Sequence, residues 1–403
     1  MSAAEPLSES PAPGGDQAKA RAYARAHLRL SLTSTGVELA ALVAFLVTGG
    51  SVALVRTLAH SARHIWTQPT LRVLAYTVIV GLGLKLLGLP FDLRSRAIEI
   101  RYQLNRQNWR GWWWDQAKAL VLSGALGLAG VELMYWLLRA APRWWWLCAW
   151  AGLTLFVLVM AQLAPVVLMP LFFKFRPLSR DDPREAELWA RLERLCARAG
   201  ARVRGCFEWK LGNRTVKANA ALTGWGPTRR IIVSDTLLAD SPLEEIEAVL
   251  AHELGHHVHH DIWKGLGFQA ALGLLGFWLA NRVLTALAPG LHLAGIADVA
   301  GLPLLILVAA ILSLLLLPVA NGFSRALERR ADDYSFAAMG GAAPLVAGLE
   351  RLAARNLAEL QPAHWKELLF YSHPAIGTRI RRARAWTAKR VAQADTGVPK
   401  ADV

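Results

Sequence analysis

Six stretches of this chain stay apolar for long enough to cross a bilayer, and that requirement constrains the fold more than any other feature. About 20 apolar residues span roughly 30 Å of hydrocarbon, where every backbone polar group must find its partner inside the protein. The runs are Val37–Leu58, Leu71–Leu89, Ala117–Leu138, Trp144–Phe172, Gly265–Leu287 and Leu302–Val319. The fourth contains Pro165 and Pro170, so it is expected to tilt or break near its end. The fifth carries Asn281 and Arg282 late in its run, which marks an end near the interface. With 54% hydrophobic residues among 403, the composition supports the same class. The expected fold is mainly α, a polytopic membrane protein of about six spans.

Charge then orients it. The net charge is +15 although only 19% of residues are charged. Lys19, Arg21, Arg25 and Arg29 precede the first span, and Arg94, Arg96, Arg101, Arg106 and Arg110 follow the second. Lys174 and Arg176 open the segment after the fourth. With alternating spans these basic segments share one side, which the positive-inside rule makes cytoplasmic. Tryptophans at Trp109, Trp112–Trp114 and Trp144–Trp146 sit where an interfacial aromatic belt would lie. The arginines flank apolar runs and no basic run interleaves with stacking aromatics, so nucleic acid is not an expected partner. Cys148, Cys196 and Cys206 form neither a disulfide framework nor a metal pair, which suits a catalytic part in a reducing compartment.

Six segments follow. Residues 1–30 read as a disordered N-terminal tail without a secretory signal, and residues 31–172 as the first membrane region with spans one to four. Residues 173–262 are soluble in character, with an amphipathic helix near Arg184–Arg198 and strand-like runs at Val203–Trp209, Lys217–Leu222 and Arg230–Val233. The last two flank Gly224-Trp225-Gly226-Pro227 and read as a hairpin. Spans five and six occupy 263–320, a helical soluble segment 321–390, and a second disordered tail 391–403.

The soluble segment ends in His252-Glu253-Leu254-Gly255-His256. Ser241-Pro242-Leu243-Glu244 upstream reads as a capping box, and Leu243, Ile246, Leu250 and Leu254 keep helical spacing. On that helix His252 and His256 point the same way and can share one ion, while Glu253 is turned about 100° to one side. A catalytic zinc site takes three protein ligands and leaves a position for water. His257 faces away, and His260 lies about 12 Å along the helix from His252, so neither completes the set. The metzincin extension fails, because its glycine and third-histidine positions hold His259 and Ile262. Glu328, just beyond span six on the same membrane face, is the best third ligand. Asp332 follows it by one helical turn and can accept the free imidazole N–H of a ligand histidine. Gly255 reads as the point where another element approaches the helix closely.

These motifs carry a resemblance. The HELGH helix, Ser324-Arg325-Ala326-Leu327-Glu328 with Asp332, and the later Tyr371-Ser372-His373-Pro374 are similar to the type I CAAX prenyl endopeptidases. Asn105-Arg106-Gln107, Pro170–Phe175 and Ile231–Leu238 also match, so the resemblance runs over about 37–390. It implies a membrane helical barrel around a chamber, with a cytosol-facing gluzincin-type zinc protease domain containing a small β-hairpin or sheet. The eukaryotic members have seven spans, and this chain is read as lacking the first. The resemblance also implies one Zn2+ per chain, held by His252, His256 and Glu328, with Glu253 as general base. His373 resembles the family histidine at the oxyanion, although a structural role before Pro374 stays open. Arg379 matches a family arginine downstream and is grouped with substrate binding. Asn219, in Lys217-Ala218-Asn219-Ala220-Ala221, matches the edge-strand asparagine that meets substrate.

The expected function is membrane zinc metalloendopeptidase, acting on membrane-associated or C-terminal CAAX-like peptides, with the lipid bilayer as its other partner. By count Arg is 35 and Lys 10, a bias that points to a GC-rich bacterial genome, so the expected location is a bacterial inner membrane. Whether the substrate is prenylated stays open. A heat-shock-type quality-control protease is one alternative, and a transporter or scaffold with a vestigial zinc site is another.

Overall fold

The computed structural model describes residues 14–61, 67–224 and 226–395. The N-terminal half is α1 (Gly14–Val47), α2 (Gly50–Ser61), α3 (Pro69–Arg101), α4 (Trp109–Ala140), α5 (Trp145–Leu163) and α6 (Met169–Phe172). A small α/β region follows: β1 (Phe175–Pro177), α7 (Pro183–Arg198), β2 (Cys206–Trp209), β3 (Ala220–Thr223), β4 (Arg230–Ser234), α8 (Asp235–Asp240) and α9 (Leu243–Val258). Two long helices return through the membrane region, α10 (Asp261–Leu287) and α11 (Leu302–Ala338), before α12 (Ala343–Asn356), α13 (His364–Phe370) and α14 (Ile376–Asp395).

Six segments among the described residues are long and apolar enough to cross a membrane: Gln17–Val47, Pro69–Arg101, Trp109–Ala140, Trp145–Phe172, Asp261–Leu287 and Val299–Ala338. They leave Val121, Leu86 and Leu315 about two-thirds or more exposed on their outer faces, where hydrocarbon would cover them. The fourth breaks at its proline. Ala164–Leu168 winds as a π turn around Pro165, whose missing N–H cannot continue the α ladder. The Arg230 guanidinium of β4 donates to the Pro165 carbonyl at this break.

The first span and both tails differ from expectation. Residues 14–30, read as part of a disordered tail, are helical, and the run Val37–Leu58 is interrupted at Gly49, which has φ +72°. Gln17–Leu30 is built of Ala, Arg and Leu, strong helix formers that a hydropathy reading passes over. It is also anchored. Ala20 is buried, Tyr23 meets the Tyr102 ring edge-on at 5.2 Å, and the Gln17 side chain accepts the Leu360 N–H at 3.2 Å. At the other end α14 continues to Asp395, past the expected boundary at 391; residues 1–13, 396–403 and Trp225 lie outside the described residues.

The strands form one mixed sheet in the order β1-β2-β4-β3. The hairpin of β3 and β4 is antiparallel, with Ala220 opposite Val233 and Thr223 opposite Arg230. β2 joins β4 in parallel, and the short β1 pairs antiparallel to β2, which makes β3 an edge strand. The sheet, α7 and α9 enclose one core around Leu188, Ile231, Ile246 and Leu250. A second core lies among the membrane helices around Tyr76, Tyr135, Trp145 and Leu284. It is closed by polar contacts of Ser51 and Tyr135 with the backbone of 298–300. The end of α3 and the α3–α4 turn meet the β2–β3 connection instead: Arg106 N–H donates to Arg214 O at 2.8 Å, and Lys217 pairs with Glu99 at 2.9 Å. The sheet and the N-terminal part of α1 therefore lie at one end of the helices.

α9 begins differently from the capping-box expectation. Its N-cap is Pro242, with no side-chain cap bond, and Ser241 instead closes α8, its N–H donating to Leu237 O. The Ser241 carbonyl is taken by the Arg184 guanidinium at 2.6 Å. The helix is fixed by its neighbours instead. Ser335 of α11 donates to Ala248 O at 2.8 Å, and Arg351 of α12 holds Glu245 at 2.7 and 3.0 Å. Gly255 is where α11 comes closest: a Cβ there would lie 2.9 Å from Ala331 Cα. Both elements are backbone, so neither can give way cheaply. Gly255→Ala is expected to cost about 1–3 kcal/mol by overpacking, read as a fall in thermal midpoint in detergent. An unchanged midpoint would mean that the α9–α11 contact is soft.

Candidate metal centre

His252, His256 and Glu328 converge between α9 and α11, with ligand atoms all within 4.8 Å of one another. His252 Nε2 stands 3.2 Å from Glu328 Oε2, and His256 Nε2 stands 3.4 Å from Glu328 Oε1. The two rings, one helical turn apart, meet edge-on at 5.0 Å between centroids. Glu328 Oε2 is buried and has no hydrogen bond of acceptable geometry, although His252 Nε2 is close. An orphaned buried carboxylate oxygen is costly. Two imidazole Nε2 atoms and a carboxylate aimed at one point are a donor set suited to a divalent ion with a preference for N and O ligands.

Each histidine is backed by a carboxylate behind its other nitrogen. His252 Nδ1 lies 2.9 Å from Asp332 Oδ1, and His256 Nδ1 lies 3.0 Å from Asp261 Oδ2. Such pairs fix the tautomer that presents Nε2 forward. Burial works against the charged form of both rings, but the carboxylates outweigh it. His256 is thereby pushed up to about 9 by Glu328 and Asp261, and His252 is also raised. Asp261 is not marked as a partner by the sequence, because it opens an apolar run, where an acidic residue reads as a helix-start signal. Its separation of five from His256 was the available clue. The side chain is only 4% exposed.

The remaining candidates fall on different sides of this cluster. Glu253 is half-buried and lines a cleft of about 280 Å³ with Leu222, Gly224, His256 and Leu327. His373 stands at the cluster, with Nε2 3.2 Å from Glu328 Oε1 and its side chain largely exposed. Arg325 holds its loop by donating to Glu367 O and Tyr371 O at 2.8 and 2.6 Å. Arg379, grouped with substrate binding in the sequence, lies buried behind His252 with its guanidinium donating to Asp332 at 2.5 and 3.0 Å. Asn219 is exposed at the start of the edge strand and lines a second cleft of about 460 Å³ with Lys217, Ala218 and Asn356. His257 lies near Arg229 and His260 is exposed; neither joins the cluster.

The family model for peptidase family M48 matches residues 182–387, which hold every residue of this centre. A CAAX prenyl protease 1 homolog from Oryza sativa is 30% identical over 77% of this chain and 72% of its own length. The chain belongs to peptidase family M48. A second model, for the CAAX prenyl protease N-terminal region of five membrane helices, matches residues 14–174. Among the described residues there, this M48 chain has four helices of spanning length and the shorter α2. The uncharacterized metalloprotease YhfN of Bacillus subtilis is 29% identical over 78% of this chain and 73% of its own. The crystal structure of S. mikatae Ste24p superimposes with a TM-score of 0.82 at 24% identity, covering 93% of this chain and 90% of that one. The protein is thus an integral, multi-pass membrane metallopeptidase of the CAAX prenyl protease family with a Ste24p-like fold. The matches favour neither a heat-shock-type protease nor a transporter or scaffold.

The paired carboxylates behind the histidines give the M48 centre a testable asymmetry. Asp332→Asn and Asp261→Asn are each expected to weaken metal affinity by about 10–100-fold, measured by competition with a chelator. The loss should be larger at Asp332, whose charge also holds Arg379. Unchanged affinity in both variants would reduce these contacts to packing.

Proposed function

We propose that this protein is a zinc endopeptidase that cleaves peptide bonds of membrane-associated substrates from the cytoplasmic side of a bacterial inner membrane. The observation that carries the reading is the convergence of His252, His256 and Glu328 beside Glu253 at the end of the helices where the edge strand lies. Zinc, held by these three residues, would supply a bound water of lowered pKa and polarise the scissile carbonyl. Glu253 then takes the water's proton and returns it to the leaving amine. His373, with Nε2 at the cluster, donates to the oxyanion that develops on the carbonyl. Asp332 and Asp261 hold the two imidazoles, and Arg379 positions Asp332.

The substrate lies as an added strand against β3, with Asn219 at one end of that edge. Basic residues at the sheet end of the helices, Arg94, Arg101, Arg106 and Lys174 among them, support a cytoplasmic site. The names of the curated relatives support CAAX-like C-terminal peptides as one substrate class. Unmodified membrane peptides are a second class, since strand pairing at β3 uses only substrate backbone.

The test is metal removal from purified protein in detergent. The loaded protein should hold about one zinc per chain and cleave peptides, lose cleavage after chelation, and recover it with added zinc. Cleavage that survives complete removal of metal would overturn the zinc assignment.

A further inference from the structure

The edge on which a guest strand would pair is open over a short window, and one end of that window is stopped by a side chain. Backbone groups from Val216 to Asn219 alternate in direction. Lys217 O accepts from Thr236 Oγ1 at 2.8 Å, and Asn219 O accepts from Ser234 N at 2.9 Å, both toward the sheet interior. The alternate residues face the other way: Val216 O accepts from Arg355 Nε at 2.5 Å, and Ala218 is engaged on both its groups by Asn356. Ala218 N–H donates to Asn356 Oδ1 at 3.0 Å, while Asn356 Nδ2 donates to Ala218 O at 3.2 Å. One carboxamide thus makes the pair of bonds that a residue of a neighbouring strand would make.

Past this point the pattern continues without α12. Asn219 opposite Ser234 is a hydrogen-bonded pair, so Ala221 and Thr223 also face β4, and Ala220 and Leu222 direct their N–H and C=O outward. The other end closes at Gly224. There φ is +81°, and a Cβ would fall 2.5 Å from Thr228 O, so the chain turns away. Among the described residues the edge therefore offers two rungs without a backbone partner, the buried Ala220 and the half-buried Leu222. Leu222 lines the Glu253 cleft, and the stopped end borders the cleft shared by Asn219, Lys217 and Asn356.

We infer that Asn356 is a specificity-determining residue that ends the substrate's strand pairing at Ala218 and so gauges substrate length on one side of the scissile bond. This rests on the peptidase reading above. Antiparallel addition, the more stable pairing, sends the C-terminal part of the substrate toward Ala218. A short C-terminal segment then pairs fully, and a longer one must leave the sheet plane at Asn356. Removing the carboxamide frees one more rung, which corresponds to about two substrate residues.

The experiment takes one peptide that the zinc-loaded wild type cleaves and lengthens it one residue at a time, first C-terminal and then N-terminal to the scissile bond. For the wild type, kcat/KM should rise and then level off or fall with C-terminal length. In Asn356→Ala the turning point should move outward by about two residues, carried by KM more than by kcat. Should Asn356→Ala lose zinc or its thermal midpoint, Asn356→Ser, too short to reach both groups, carries the same expectation. Superimposable length profiles in a folded, zinc-replete variant would overturn the gauge. A turning point that moves only on the N-terminal side would overturn the assigned direction. A wild type that cleaves peptides without any length dependence sinks the gauge alone, whereas a Glu253→Gln control as active as wild type sinks the peptidase mechanism beneath it.

Discussion

Glu253→Gln is expected to lower kcat/KM for peptide cleavage by about 10²–10⁴-fold while leaving about one zinc per chain. The substitution is nearly isosteric and removes only the ability to take a proton. Glu253 lines the cleft beside His256 and lies outside the cluster of candidate ligands, so its loss should spare the metal. That separation makes the result diagnostic. Cleavage at wild-type rates would remove Glu253 as the base, and a parallel loss of zinc would move it into the ligand set.

Glu328→Ala should have the opposite signature, losing metal first and activity as a consequence. Glu328 places its two carboxylate oxygens 3.2 Å from His252 Nε2 and 3.4 Å from His256 Nε2. With the carboxylate gone, a two-histidine site remains in which burial still opposes charge. Asp332 cannot substitute, because it faces Nδ1 of His252 and is held by Arg379. Zinc content is expected to fall from about one per chain to near zero after brief chelation. Retention of zinc would point to another ligand, and His373, 3.2 Å from Glu328, would be the first to examine. Glu328→Gln, which keeps the volume, separates metal loss from a packing defect between α9 and α11.

Much of this centre was legible because its chemistry is local and periodic. His252 and His256 are one helical turn apart, as are Glu328 and Asp332, and such spacing survives any uncertainty about the tertiary fold. Spans two to six were legible for a similar reason, since hydrocarbon demands long unbroken apolar runs. The first was displaced because α1 starts in an Ala- and Arg-rich segment stabilised by tertiary contacts of Tyr23 and Gln17. Strand β1 was invisible, being three residues that end in Pro177 and hold their place through β2 and the Arg176–Glu185 pair to α7. Arg379 and Asp261 could be noticed as residues but not assigned partners. Arg379 reaches Asp332 from 47 positions away, and Asp261 sits at the start of a membrane helix. Whether an arginine faces a substrate or the back of a ligand is decided by how helices cross, which periodicity does not contain.

The placement of Glu328 on α11 also bears on how the enzyme comes into being. A ribosome releases the chain N-terminus first, at about 5–20 residues per second. His252 and His256 therefore emerge some 70 residues before Glu328, with α10 and most of α11 still to be made and inserted. Throughout that interval the histidine helix carries Glu253 but only two of the three candidate ligands. On the proposed mechanism the nascent peptidase is therefore harmless during its own synthesis. On the same mechanism a chain whose last span fails to insert would lack its third ligand, so correct topology would itself arm the enzyme.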